Sequence, residues 1–108
     1  MVKQRKIFHS HNKHARDYDD PLYVNWRKIV RKRDNSTCQF PGCGYRSVYK
    51  TQIHHIRPWA QFPMLRYEPL NGICLCKKCH ELVKNKELIY APVFIGIAIQ
   101  NQTKNGKK

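Results

Sequence analysis

Apolar positions recur along this chain with two different periods, and the change of period marks the elements. Over residues 20–34, DPLYVNWRKIVRKRD, the apolar side chains Leu22, Trp26, Ile29 and Val30 fall on one helical stripe. Asp19 or Asp20 can cap that helix and Pro21 suits its first turn, while Arg27, Lys28, Arg31, Lys32 and Arg33 make the other face basic. Two extended runs follow at 47–56 and 72–76, a hairpin with a long connection. That connection, RPWAQFPMLRYEPLN, contains Pro58, Pro63 and Pro69 and so predicts neither helix nor strand. Loops of this length in compact domains usually carry function. HELVKNKEL, starting at His80, predicts a short helix with His80 in its first turn and Glu81 near its positive end. Beyond it, the β-branched apolar run in 91–108 reads as a packing or pairing strand with a frayed basic end. No internal repeat is visible. The pattern predicts a basic arm over 1–18, one small α+β domain over 19–90, and a C-terminal strand and tail over 91–108.

Charge sharpens this picture. The chain has 108 residues, near the size where a core is adequate but not generous. Lys and Arg outnumber Asp and Glu by 21 to 7, a formal charge of +14. Such a field draws polyanions, nucleic acid before an anionic membrane surface; the plainer alternative is a solvated basic face. The N-terminal MVKQRKIFHSH lacks the apolar core of a signal peptide. IYAPVFIGIAI, broken by Pro92 and Gly96, is too short to span a bilayer. Both features predict an intracellular protein with no membrane partner. His9, His11 and His14 in the arm could bind metal, but a mobile arm near phosphate is the preferred reading.

Five cysteines in such a chain point to metal or catalysis rather than disulfides. Cys38 and Cys43 form C-x4-C beside Pro41, Gly42 and Gly44, and Cys76 and Cys79 form C-x2-C. Two close pairs about thirty residues apart are the pattern of a four-thiolate zinc site that replaces missing core. Cys74 and Cys79 would also give C-x4-C, but the short spacing favours Cys76 and leaves Cys74 as a small buried hydrophobe. His80, directly after Cys79, leaves a site of three cysteines and one histidine open.

QIHHIRPW, residues 52–59, sets His54 beside His55 where a strand runs into a proline. Neighbouring strand side chains point to opposite faces, an arrangement that metal or proton-transfer chemistry can use and a core seldom wants. The hairpin ending near His54 and His55, the loop closing at Asn71, and His80 after the last cysteine form an ordered set. Together with the two cysteine pairs it resembles the HNH endonuclease family, whose site is the ββα-metal fold. The segment from Trp26 to Cys38 resembles the helix before the zinc turn in small phage members, and the likeness covers roughly residues 16–88.

The resemblance implies roles. His54 and His80 would bind one catalytic divalent ion such as Mg2+, Mn2+, Ni2+ or Co2+, His55 would be the general base, and Asn71 would tie the loop that holds His55. Arg57, Trp59, Arg66 and Lys84 are the candidate DNA-contacting residues, the last because it lies four residues from His80 on a helix. The expected activity is metal-dependent DNA cleavage of low sequence specificity, by nicking or double-strand cutting, beside a structural Zn2+. Likeness to phage members also makes a packaging terminase a candidate partner. The competing reading is a zinc-stabilised nucleic-acid-binding module without catalysis, with an RNA-associated zinc protein behind it. Oligomeric state is not legible in the sequence.

Overall fold

The computed structural model describes residues 17–106, so the histidines of the N-terminal arm lie outside the described residues. Helix α1 (Pro21–Asp34) starts as its sequence dictates, with the Asp20 carboxylate accepting the Leu22 N–H at 2.9 Å and Pro21 in the first turn. It stops at Asn35 in the left-handed region, φ 56°, after a last turn holding Arg31, Lys32 and Arg33. The buried face is Tyr23, Trp26, Val30 and Asp34. Leu22 and Ile29, expected on it, are 59% and 42% exposed. The helix is turned because its two inward aromatic residues have polar handles to satisfy or rings to stack: Trp26 donates its Nε1–H to the Glu68 carbonyl at 2.9 Å.

Strands β1 (Thr51–His55) and β2 (Gly72–Cys76) pair antiparallel, with Thr51 opposite Cys76, Ile53 opposite Cys74 and His55 opposite Gly72. β1 is shorter than the expected 47–56. Residues 48–50 turn instead, where the Ser47 hydroxyl accepts the Lys50 N–H at 2.9 Å, a local bond that competes with a ladder. The proline-rich connection does hold two single 3-10 turns, Pro63–Leu65 and Pro69–Asn71, each opened by its proline.

Helix α2 (Lys77–Val83) begins before Cys79 rather than after it, because the Cys76 sulfur caps it by accepting the Cys79 N–H at 3.5 Å. His80 and Glu81 therefore lie past its first turn. The expected C-terminal strand is instead helix α3 (Glu87–Gly106). Ala91, Phe94 and Ala98 are buried at helical spacing, and that periodic burial outweighs the β-branched composition. Pro92 lies inside α3 and removes the one N–H that would have bonded the Leu88 carbonyl, a cost outweighed by the buried face of the helix.

The hairpin separates two cores. One gathers Ile56, Ile73, Leu75, Val83, Phe94 and Ala98 around the cysteines; the other is Tyr23, Trp26, Val30 and Trp59. A buried carboxylate joins the elements across them. Asp34 accepts from Arg33 Nε at 2.7 Å, from the Cys74 N–H at 3.0 Å and from Asn101 Nδ2 at 3.1 Å. Arg33 also donates to the carbonyls of Pro69 and Gly72, at 2.9 and 2.7 Å. Arg33 is thus interior and structural, not part of a basic outer face.

Candidate active site and metal centre

The turn from Cys38 to Gly44 is closed by the Cys43 N–H to the Phe40 carbonyl at 2.9 Å. Gly42 and Gly44 have φ of 86° and 71°, values that a side chain would strain. The cap of α2 aims the second pair at the same point. The sulfurs of Cys38, Cys43, Cys76 and Cys79 all lie within 4.8 Å of one another, and Cys43 to Cys76 is 3.9 Å. A zinc–sulfur bond of about 2.3 Å places the corners of a tetrahedron about 3.8 Å apart, so this donor set fits zinc. Burial alone would raise the Cys76 thiol, but donation from Cys79 and the other thiols outweighs it and brings the pKa down to about 7. Burial pushes Cys38 and Cys79 up, the latter reinforced by its neighbours. Cys74 stays outside the set on the buried hairpin, and so does His80.

The opposite-facing histidines reach one cleft of about 600 Å³. His54 faces the cysteine-side core, its ring 5.3 Å from that of His80 and 6.1 Å from Phe94. Two imidazoles from a strand and a helix facing each other here could share an ion and leave most of its coordination shell to water or phosphate oxygen. His55 lies against the other core, stacked on Trp26 at 4.0 Å and 11°, with Trp59 edge-on at 5.4 Å. Its Nε2 is 2.9 Å from the Arg66 carbonyl oxygen. Because a carbonyl only accepts, Nε2 carries the hydrogen in the neutral ring and Nδ1 carries the lone pair.

Asn71 fastens the loop between these groups. Its Oδ1 accepts the Arg57 N–H at 2.8 Å, and its Nδ2 donates to the carbonyls of Arg57 and Leu65 at 3.2 and 3.1 Å. One side chain therefore holds both the exit of β1 and the residue next to the carbonyl that orients His55.

The expected nucleic-acid contacts divide. Lys84 is exposed and lines the cleft. Trp59 is 6% exposed, packed against Tyr23, His55 and Tyr67, so its indole is a wall of the cleft and not an open stacking surface. The Arg66 guanidinium lies 4.4 Å over Trp59 and donates to its carbonyl at 2.8 Å, a positioning contact for the His55 acceptor. Arg57 is half-buried and its backbone, not its side chain, is what the Asn71 clamp uses.

Sequence reasoning missed Arg27 and Arg31, which line the cleft from α1. The signal was present: Tyr23, Arg27 and Arg31 are spaced by four and share one helix face. Arg31 is braced by two bonds to Thr51, at 2.8 and 3.0 Å, and Arg27 stands 5.7 Å over the Tyr23 ring. Glu87 is the one acidic side chain among the described residues of the lining. No described helix is long and apolar enough to cross a membrane.

Residues 37–86 match the family model described as HNH endonuclease. No curated protein and no solved structure matches the chain.

Proposed function

We propose, from the match of residues 37–86 to the HNH endonuclease family model, that the chain hydrolyses phosphodiester bonds of DNA with a catalytic divalent ion beside a structural zinc. The observation that supports it is the orientation of His55, whose Nε2–H is directed at the Arg66 carbonyl, so that the basic lone pair of the neutral ring is on Nδ1. His55 Nδ1 takes a proton from water, and the hydroxide so formed attacks phosphorus in line with the 3′ oxygen. The P–O3′ bond breaks, giving a 5′-phosphate and a 3′-oxygen that is protonated from solvent. An ion held by His54 and His80 would supply charge neutralisation at the leaving oxygen. Asn71 keeps the base oriented, and Arg27 and Lys84 meet phosphate oxygens at the cleft rim. None of these residues reads base edges, so specificity is low; a phage packaging terminase fits such an activity as a partner.

The test is plasmid cleavage by His55→Ala, with zinc content, circular dichroism and DNA binding measured on the same preparation. The rate should fall about a hundred- to ten-thousand-fold while the other three readouts hold. Near-normal cleavage would overturn the mechanism. His80→Ala should keep its zinc and lose the response to added Mg2+ or Mn2+.

A further inference from the structure

A second groove, of about 570 Å³, is lined by Cys43 of the metal turn, by the start of β1 and by the junction of β2 with α2. Its rim carries Lys50, Lys77 and Lys78, all exposed, and the phenols of Tyr45 and Tyr49, 45% and 95% exposed. No acidic side chain lines it, and the one ion pair among the described residues is Arg33 with Asp34. The three ammonium groups are therefore not neutralised by a described carboxylate. Gln52 lines both this groove and the histidine cleft. β1 rises about 3.3 Å per residue, so Gln52 stands about 10 Å from His55, roughly the length of three nucleotides along one DNA strand.

We propose that this groove carries the DNA backbone flanking the cleaved phosphate, so that one strand runs from the histidine cleft over Gln52 and onto the metal turn. The inference rests on the nuclease reading of the cleft. Lysine ammonium groups serve as point charges for phosphates, and tyrosine hydroxyls and the Gln52 amide can donate to phosphate oxygens. A metal centre in this position has two consequences: it replaces core, and by holding Cys76 and Cys79 it fixes Lys77 and Lys78 between them beside the path to the base.

The experiment measures binding of a fluorescent duplex to the full chain in EDTA across a salt series. It compares wild type, the triple variant Lys50→Ala, Lys77→Ala, Lys78→Ala, and the charge-matched Lys28→Ala, Lys32→Ala, Lys104→Ala. All six lysines are exposed, so folding and zinc content should hold in both variants. The groove variant should flatten the slope of log K against log salt by up to about 0.9 per lysine, and bind at least tenfold more weakly at the lowest salt. The matched variant should lose less than half as much. Equal losses in both variants, or none in the groove variant while wild type binds and cleaves, would overturn the groove alone. Failure of wild type to bind DNA at all would overturn the nuclease reading and this inference with it.

Discussion

Gly72→Ala should be among the most damaging single-methyl additions in this protein. Gly72 has φ −128°, an extended value open to any residue, so the demand for glycine is one of space. A Cβ there would lie 2.6 Å from Trp26 Cζ2 and 2.7 Å from Val30 Cγ2. Ring and methyl must each retreat by about 0.7 Å or more to regain ordinary contact. Neither can do so easily. Trp26 is stacked on His55 at 4.0 Å and tied to Glu68 at 2.9 Å, and Val30 is fully buried. Overpacking of this kind costs about 1–3 kcal/mol, and the absence of a yielding neighbour puts Gly72→Ala at about 2–3. For a domain of this size that lowers the melting temperature by roughly 10–20 °C, read by thermal circular dichroism at saturating zinc. Adding Val30→Ala removes one of the two clashes, so the double variant should be less destabilised than the sum of the singles. A melting temperature for Gly72→Ala within about 2 °C of wild type would refute the steric argument.

Other outcomes follow from the thiols. Mild EDTA should stop DNA cleavage while leaving about one zinc per chain, since four thiolates hold zinc far more tightly than two neutral imidazoles hold their ion; loss of zinc and activity together would contradict separate sites. Cys43→Ser should lose zinc and melt, whereas Cys74→Ser should keep it, as atomic absorption will show. Burial raises the Cys74 thiol above its ordinary 9.0. The folded chain therefore keeps a proton that the unfolded chain releases, and stability falls as pH rises past 9, by at most about 1.4 kcal/mol per pH unit. Urea unfolding at about pH 8 and pH 10 should show a smaller alkaline loss in Cys74→Ala than in wild type; equal losses would refute the assignment.

The parts of the fold legible in the sequence were those fixed by local chemistry. Asp20 and Pro21 announced the start of α1, and the two cysteine pairs announced their own convergence, because caps and turns depend on neighbours a few residues away. The orientation of α1 was not legible. Leu22 and Ile29 are as apolar as Val30, and only the ring environment of Trp26, set by His55 and Glu68, decides which side turns in. The C-terminal run misled for a related reason. Its β-branched residues favour a strand in isolation, whereas Ala91, Phe94 and Ala98 are selected by a surface formed from distant β2, α1 and the Pro69–Asn71 turn. The histidines were visible as a pair, but that they share a cleft depends on the loop that Asn71 fastens. Trp59 shows the limit of composition: an aromatic residue beside basic ones suggests a nucleic-acid contact, and here it is core.

The Arg33–Asp34 pair has a consequence for how the molecule opens. Its bonds reach the Pro69 turn, β2 and α3, and the link to Asn101 spans 67 positions of sequence. Peeling α3 away exposes one side of a carboxylate that still anchors the Cys74 amide, and lifting α1 strips all partners at once. Partial opening is therefore penalised at every one of these places. Hydrogen exchange should find the Cys74 amide, the last turn of α1 and the middle of α3 protected to the same free energy, so that helices at the two ends of the described chain come apart in a single event.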